Sequence, residues 1–438
     1  LAFIINGCSN KIYDNYTTPL LDSNIVSING DIKNNEPIEL LIQPSPNKKI
    51  FGIPLGLSIY NIGKNNPDSL FDNWLYKNPK RISRLNKFIS NKQVTQLKRY
   101  NRLFNNWIKS NGEEPVFVNN ADIENNSKKL IQYYKNNGYF DVKVEIDSII
   151  KNNKAEIVYK IDTDSVYTID SVTYNIIPKE VDSLLNSKID DSFIKTNEPF
   201  TISKLIDERD RIIDLTRDNG VYNFQQRSIN YKILIDSSGI DKKIPIIVNI
   251  NDFPSSSEDN TSQSYSIKKI NEIKVYVESI DELSSLNTYT DSISYRGIDI
   301  YSKGSLKYSV KSLTEPIFFN IGDIYSEKNK ILTSRYFSNL TNFKYPSIIF
   351  EENGKDLSSS IYLVPRKRFS LGFNVDLTHS NIEDFGISVG SILNIRNIFR
   401  GTENLSINLK NSIGAAKDIG IPNDSFFNLF ELGGNLNL

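Results

Sequence analysis

Cys8 and His379 are the sole cysteine and the sole histidine of this 438-residue chain, and they bound what chemistry it can do. One thiol allows no internal disulfide, and one imidazole leaves no His-based metal cluster and few parts for a catalytic triad. No catalytic residue, metal site or cofactor is therefore expected. Cys8 has a distinctive setting: apolar Leu1 to Ile5 and small Gly7 precede it, and polar, turn-prone Ser9 to Pro19 follow. That setting suits either a structural thiol or a thiol modified where an apolar leader meets a tether.

The rest of the composition narrows the class. Lys plus Arg (52) balances Asp plus Glu (52), so no global charge argues for nucleic acid and any charge signal is local. No uninterrupted apolar segment approaches the roughly 18 residues of a transmembrane helix. Methionine is absent, so the sequence reads as a fragment at its N-terminal end. Richness in Asn, Ile, Lys and Ser fits an AT-rich bacterial genome. Ile5-Asn6-Gly7-Cys8 resembles the lipobox of bacterial lipoproteins, with Asn6 a departure. The resemblance implies that Cys8 carries diacylglycerol.

The elements that position any site recur. From about Ser27 to Pro365 the pattern is a strand, a helical stretch, then two alternating strands joined by a turn. In the middle copy, Ile202, Leu205, Ile206, Ile212 and Ile213 are expected on one helical face after an N-cap at Thr201 or Ser203. Gly220 closes the helix. Ile229, Tyr231, Ile233 and Ile235 then alternate out, and Ile244, Ile246, Val248 and Ile250 alternate back. The preceding copy places Leu130, Ile131 and Tyr134 on a helix ending at Gly138, with strands through Val142, Val144 and Ile146 and through Ile157, Tyr159 and Ile161. The third has a helix near Ser326 to Leu340 and a hairpin whose Asn353-Gly354 pair predicts a type I′ turn.

Helices followed by Gly138-Tyr139-Phe140 or Gly220-Val221-Tyr222 and then a hairpin resemble the POTRA module of outer-membrane assembly proteins. There, the C-cap glycine and aromatic have a packing role, as glycine's freedom at positive φ requires. From Arg366 the helices cease. Phe369, Leu371, Phe373, Val375 and Leu377 alternate with Ser370, Gly372, Asn374, Asp376 and Thr378, and Leu405, Ile407 and Leu409 continue the period. A transmembrane barrel and a soluble sandwich both have this alternation. "NIFRGTE", with Asn397, Phe399, Gly401 and Glu403, resembles the early barrel turn of the BamA/TamA superfamily, Thr402 standing where Gly or Ala is usual. A lipobox on such a protein, together with "GEEPVFVN" (Gly112 to Asn119), resembles the TamA-like lipoproteins of Bacteroidota.

One stretch stands apart. No acidic residue lies between Asp72 and Glu113, whereas Lys80, Arg81, Arg84, Lys98, Arg99 and Arg102 are among ten basic ones, flanked by Trp74 and Trp107. Leu85, Phe88, Ile89, Leu103, Phe104 and Ile108 recur at helical spacing. The segment is either a solvated helical insertion or a surface for anionic headgroups or an acidic partner.

The expected fold class is α+β: tandem POTRA modules (β-α-α-β-β), then the first strands of an antiparallel transmembrane β-barrel, the record incomplete at both ends. Residues 1–7 end a signal peptide, 8–26 form a lipidated tether, and 27–164 form a first module with a basic insertion at 64–112. Residues 165–253 and 254–365 form two more modules, and 366–438 begin the barrel. The resemblance implies a lipid-anchored outer-membrane protein with periplasmic modules that assembles or translocates unfolded outer-membrane clients, in contact with lipids, with a possible TamB-like partner and no nucleic acid. Phe369, Leu371, Gly372 and Asn374 would lie on a loosely paired seam strand. The alternatives are a two-partner-secretion type transporter, a surface-attached binding lipoprotein without a pore, or a barrel-bearing lipase using His379.

Overall fold

A computed structural model describes residues 16–32, 36–85, 90–235, 241–252, 264–277, 289–379, 383–416 and 429–438. Cys8 and its apolar leader, Phe88, Ile89 and most of the turn after Ile235 lie outside them. The chain forms two compact units. One comprises 1–172 with 194–205 and 233–246, the other 173–193 with 206–232 and 247–438.

The first unit opens with β1 (Leu20–Ile28), β2 (Asp31–Ile32) and a single turn, α1 (Glu36–Glu39). Helices α2 (Leu55–Ile62), α3 (Pro67–Tyr76), α4 (Pro79–Leu85), α5 (Asn91–Asn111) and α6 (Asn120–Asn136) follow, then β3 (Lys143–Lys151) and β4 (Lys154–Asp162). The sheet order is β2-β1-β4-β3, with β1 parallel to β4 and β3 antiparallel to it. Period-two alternation buries Ala155, Ile157, Tyr159 and Ile161 of β4, and α6 lays Leu130 and Tyr134 on the same core. Two expectations need correction. The tether cannot run to residue 26, because Leu20, Leu21 and Val26 are buried in β1. Ile146 is half exposed because β3 is an edge strand whose outer residues leave the core.

The second α/β segment contains β5 (Thr168–Ile176), α7 (Lys179–Asn186), α8 (Ile202–Asp218), β6 (Ile229–Ile233) and β7 (Lys243–Ile250), with strand order β5-β7-β6. Ile244, Ile246, Val248 and Ile250 are all buried, and Thr201 caps α8 through the Lys204 amide at 3.4 Å. Ile206 is exposed, however, and Ile235 lies beyond β6. Helix α8 therefore has a narrower buried stripe than its apolar count suggested, carried by Leu205 and Ile212.

The third segment is a five-stranded sheet of order β11-β12-β8-β10-β9, built from β8 (Ile270–Val277), β9 (Asp291–Tyr295), β10 (Ile298–Ser302), β11 (Phe343–Asn353) and β12 (Asp356–Pro365). Helices α9 (Val310–Thr314) and α10 (Glu327–Asn339) contribute Leu313 and Phe337 to its core. The β11–β12 loop is Gly354-Lys355, closed by the Asn353–Asp356 pair. Only Gly354 has positive φ (65°), the φ pattern of a type II′ turn rather than the expected I′.

After it come β13 (Phe369–Thr378), β14 (Glu383–Arg396), β15 (Asn404–Ala416) and β16 (Leu429–Asn437), an antiparallel sheet in chain order. No described helix is long and apolar enough to cross a membrane.

Candidate functional site: a two-faced sheet and its joints

The register of the last sheet decides what its faces are. Phe369 stands opposite Ile395, Leu371 opposite Leu393, Val375 opposite Val389 and Leu377 opposite Ile387. On β15 three of these rows continue as Leu405, Ile407 and Ile413, the Val389 row meeting Asn411, and on β16 as Leu436 and Phe430; Phe373 faces Ser391. Since side chains alternate across a strand, all of these share one face. Ser370, Asn374, Asp376, Asn394, Ser388, Ser406, Asn408, Ser412, Asn435 and Glu431 share the other. The apolar face is uncovered: Phe373 is 73% exposed, Leu377 71% and Leu432 83%. A sandwich would turn such a face inward onto a second sheet. Hydrocarbon or another apolar layer is the solvent that suits it.

Edge strand β13 contains the four expected seam residues. On its polar face the Asn374 side chain lies over Gly390, where a Cβ would stand 2.2 Å from Oδ1, and its amide donates to Asp376 at 2.9 Å. Gly372 has open space around it.

The Asn397–Glu403 turn joins β14 to β15 and is held from two sides. Internally, the Glu403 carboxylate accepts from the Gly401 amide at 2.9 Å and the Phe399 amide at 3.3 Å, and the Asn397 side chain accepts from the Thr402 amide at 3.3 Å. Asn397, Arg400 and Thr402 take positive φ of 55°, 72° and 68°. Externally, the Asn397 amide group donates to the Lys307 carbonyl at 3.0 Å, Arg400 donates to the Leu306 carbonyl at 2.6 Å, and the Ser309 amide donates to the Arg400 carbonyl at 2.6 Å. Asn342 donates to the Thr402 carbonyl. The motif is thus a clasp that fixes the last sheet to the third segment, while Phe399 remains exposed.

The two glycine-aromatic triplets are joints of one design. Gly138 (φ 87°) ends α6 in a Schellman arrangement, with Tyr139 N–H reaching Tyr134 O at 3.0 Å and Gly138 N–H reaching Lys135 O at 3.1 Å. Its carbonyl accepts from Tyr167 at 2.9 Å, and Phe140 packs at 5.3 and 5.4 Å on Tyr167 and Phe200. Gly220 (φ 99°) repeats this: Val221 N–H reaches Thr216 O at 3.0 Å, and its carbonyl accepts from Lys268 at 2.9 Å. Tyr222 packs edge-on to Tyr325 at 5.0 Å and donates to the Phe350 carbonyl at 2.8 Å. In each case the residues capping one helix also seat the next segment. Expected only as local packing, the triplets do more.

Gly112 to Asn119 is likewise structural. Gly112 lets Tyr60 approach so closely that a Cβ would lie 2.5 Å from its amide nitrogen, and the Glu113 carboxylate accepts from Lys48 N–H at 2.9 Å. Val118 N–H reaches Pro19 O at 3.1 Å beside the start of β1.

The basic insertion carries α3 to α5, and α2 before it packs on α5. The insertion also uses part of its charge internally: Lys98 pairs with Asp72 at 2.5 Å and Arg102 with Asp68 at 3.2 Å. Arg81 stacks over Trp74 at 4.8 Å. Lys80, Arg84 and Arg99 have no ion-pair partner among the described residues. Of the apolar residues at helical spacing, Leu103 and Phe104 are exposed: Leu97, Tyr100, Phe104 and Trp107 form an exposed stripe along α5, with Ile108 the buried side. Capped by Ser90 through a capping box with Gln93, α5 is a stable carrier for that stripe.

One buried polar node was not foreseen. Glu208, fully buried, receives Arg211 through Nε (2.9 Å) and Nη2 (2.7 Å), the Phe193 amide (2.9 Å) and Tyr174 Oη (2.8 Å). Burial pushes its carboxyl up, but Arg211, the Phe193 amide and Tyr174 outweigh this and hold it below the ordinary range. The only sequence signal was Glu208-Arg209 and Arg211 within an otherwise amphipathic helix. No group of His, Cys, Asp and Glu side chains suited to a metal occurs among the described residues.

No family model and no curated protein matches the chain. Solved structures do. POTRA domains 3–5 of BamA from Haemophilus influenzae are similar at 12% identity over 57% of this chain and 84% of that one, with a TM-score of 0.29. BamA from Haemophilus ducreyi lacking POTRA domains 1–3 is similar at 12% identity over 57% and 37%, with a TM-score of 0.33. CdiB from Acinetobacter baumannii is similar at 12% over 57% and 38%, with a TM-score of 0.26. The chain thus spans less than two fifths of the latter two. Likeness this distant assigns neither client nor activity.

Proposed function

We propose that the chain is an outer-membrane protein assembly or translocation factor of the BamA/TamA kind. Its α/β segments form POTRA modules in the periplasm, and β13 to β16 lie in the bilayer as part of a barrel wall. The observation that carries this reading is the register of the last sheet, which collects apolar side chains on one uncovered face and polar ones on the other. In hydrocarbon an unpaired backbone is costly, so a strand at the edge of such a sheet has a strong drive to take up another strand. β13 is that edge. The periplasmic counterpart is β3, an edge strand with Ile149 and Ile150 exposed, which can bind an incoming strand through main-chain bonds that tolerate many sequences.

In this reading Cys8 anchors the N-terminus through lipid, clients are unfolded outer-membrane proteins, and a TamB-like partner would act from the periplasm; a TamA-like lipoprotein of Bacteroidota is the form it most resembles. No chemistry or cofactor is required. The test is reconstitution of the full-length protein in vesicles with urea-denatured outer-membrane proteins. Faster folding of several unrelated clients, lost on crosslinking β13 through a cysteine at Asn374 to its closing strand, supports the proposal. Undiminished activity of the crosslinked form removes the edge mechanism. Action on one dedicated substrate alone marks a two-partner-secretion type transporter.

A further inference from the structure

A cavity of about 720 Å³ lies where the third segment meets the last sheet. Eight of its sixteen described lining residues are Lys or Arg, and none of the sixteen is Asp or Glu. This concentration occurs in a chain whose charges balance overall. Arg366, Lys367 and Arg368 enter it from the link before β13, Arg396 from the end of β14, Lys307 from the loop before α9 and Lys344 from β11. Like charges brought together raise the energy of the folded state unless an anion joins them.

Among the described residues the lining itself supplies no such anion. Among the described residues, none of Lys307, Lys344, Arg366, Lys367, Arg368, Arg396 and Arg400 has an ion-pair partner. Three of the arginines are held in place by carbonyls instead: Arg366 donates to Phe343 O at 3.1 Å, Arg396 to Lys367 O at 3.0 Å and Arg400 to Leu306 O at 2.6 Å. Neutral acceptors orient the guanidinium groups and leave their charge uncompensated. The Nε of Arg396 is buried and has no hydrogen-bond partner. A preorganised set of donors with an unused N–H suits a tetrahedral oxyanion, and arginine is the side chain that recognises phosphate best.

Position identifies the source of that phosphate. Arg368 immediately precedes Phe369, whose pairing with Ile395 begins the uncovered apolar rows, whereas Arg396, next to Ile395 in β14, alternates to the polar face. The Arg368 guanidinium lies 5.7 Å from the centre of the Phe369 ring. A ligand with its phosphate at Arg368 would have the apolar face within reach of an acyl chain by way of Phe369. A free phosphate would use only half of this arrangement.

We propose that this cavity binds the phosphate headgroup of an anionic lipid, whose acyl chains lie along the Phe369–Ile395 end of the sheet. It rests on the membrane reading of that sheet. The site would fix the depth of the sheet in the bilayer at the level where it is clasped to the third segment. Such basic pockets at headgroup level are a general way for membrane proteins to hold a particular lipid.

The test uses the full-length chain in neutral detergent, titrated with phosphatidylglycerol, phosphatidylcholine or inorganic phosphate and read by native mass spectrometry. The proposal predicts one phosphatidylglycerol retained at least tenfold more tightly than phosphatidylcholine, with little displacement by millimolar phosphate. The variant Lys307→Gln/Lys344→Gln/Arg368→Gln removes three charges and no described hydrogen bond, and should lower that retention at least tenfold. The variant Lys128→Gln/Lys129→Gln/Lys135→Gln, equal in charge but on α6 and outside the cavity, should leave it unchanged. Equal retention of the two lipids, equal loss in the two variants, or saturation by phosphate without lipid preference would each overturn it. If the first variant fails to fold, Lys307→Gln/Lys344→Gln alone decides, by loss or retention of the preference. Because no client is present, failure here is separable from failure of the assembly reading.

Discussion

Replacing Gly138 by Ala should loosen the joint that it forms, and the structure gives the size of the effect. At φ 87° an L-residue is held in the left-handed region at about 1–2 kcal/mol. The added Cβ would stand 2.6 Å from the Phe200 carbonyl oxygen, so the Tyr167–Phe200 backbone must move. That movement threatens the Tyr167 N–H bond to Gly138 O and the Phe200 N–H bond to Tyr167 O, each worth about 0.5–1.5 kcal/mol. The expected cost is about 2–5 kcal/mol, of which Gly30→Ala isolates the strain. Gly30 has φ 92° and nothing within 4 Å of its would-be Cβ, so about 1–2 kcal/mol is expected there. Native-state hydrogen exchange on the full-length chain reads this locally, with the Tyr167 and Phe200 amides losing protection in Gly138→Ala and keeping it in Gly30→Ala. If Gly138→Ala costs no more than Gly30→Ala and both amides stay protected, the triplet is a helix cap and nothing more.

Other outcomes follow from the same structure. Because Glu208 is held below the ordinary carboxylate range, its contribution is present above its unfolded value and lost as pH falls through the depressed one. Melting followed by circular dichroism should therefore drop below about pH 4 in the wild type, and a smaller acid-induced drop is expected in Glu208→Gln. Arg211→Leu should destabilise by about 3–5 kcal/mol at pH 7, since it strands a buried carboxylate; a loss under about 1 kcal/mol would refute that buried-charge argument. Reversing Lys80, Arg81 and Arg84 to Glu should leave melting nearly unchanged while weakening binding to anionic vesicles in a salt-dependent way, and unchanged binding would make the insertion a solvated face. Labelled palmitate should enter the wild type and not Cys8→Ala.

Much of the fold was legible because its signals are local. Period-two burial in β4 and β7, the helix ending at Gly138 and the strand texture after Arg366 follow from side-chain geometry that a sequence displays directly. What escaped depended on contacts distant in sequence. Leu20 and Leu21 look like tether until β4 and Val116 lie beside them. The β9–β10 hairpin that widens the third sheet falls in a Ser- and Tyr-rich stretch with weak alternation. Leu103 and Phe104 have the spacing of a buried stripe, but α2 and α3 take the opposite side of α5. The cationic cavity was hidden because its residues come from four places in the chain, each with one to three charges, and they meet only through the β11–β12 and β13–β14 pairings together with the clasp at Asn397 to Glu403. The glycine triplets were visible, but not what they seat.

The central claim is that one face of the β13–β16 sheet meets hydrocarbon. It is tested most directly by labelling single cysteines at positions 369 to 378, in a Cys8→Ala background, with an environment-sensitive fluorophore after reconstitution in vesicles. Quenching by nitroxide lipids should alternate with period two, strong at Phe369, Leu371, Phe373, Val375 and Leu377, and weak at Ser370, Gly372, Asn374, Asp376 and Thr378. The intervening positions should instead be quenched from water. Uniform aqueous quenching along all ten positions would place the sheet outside the bilayer and contradict the account.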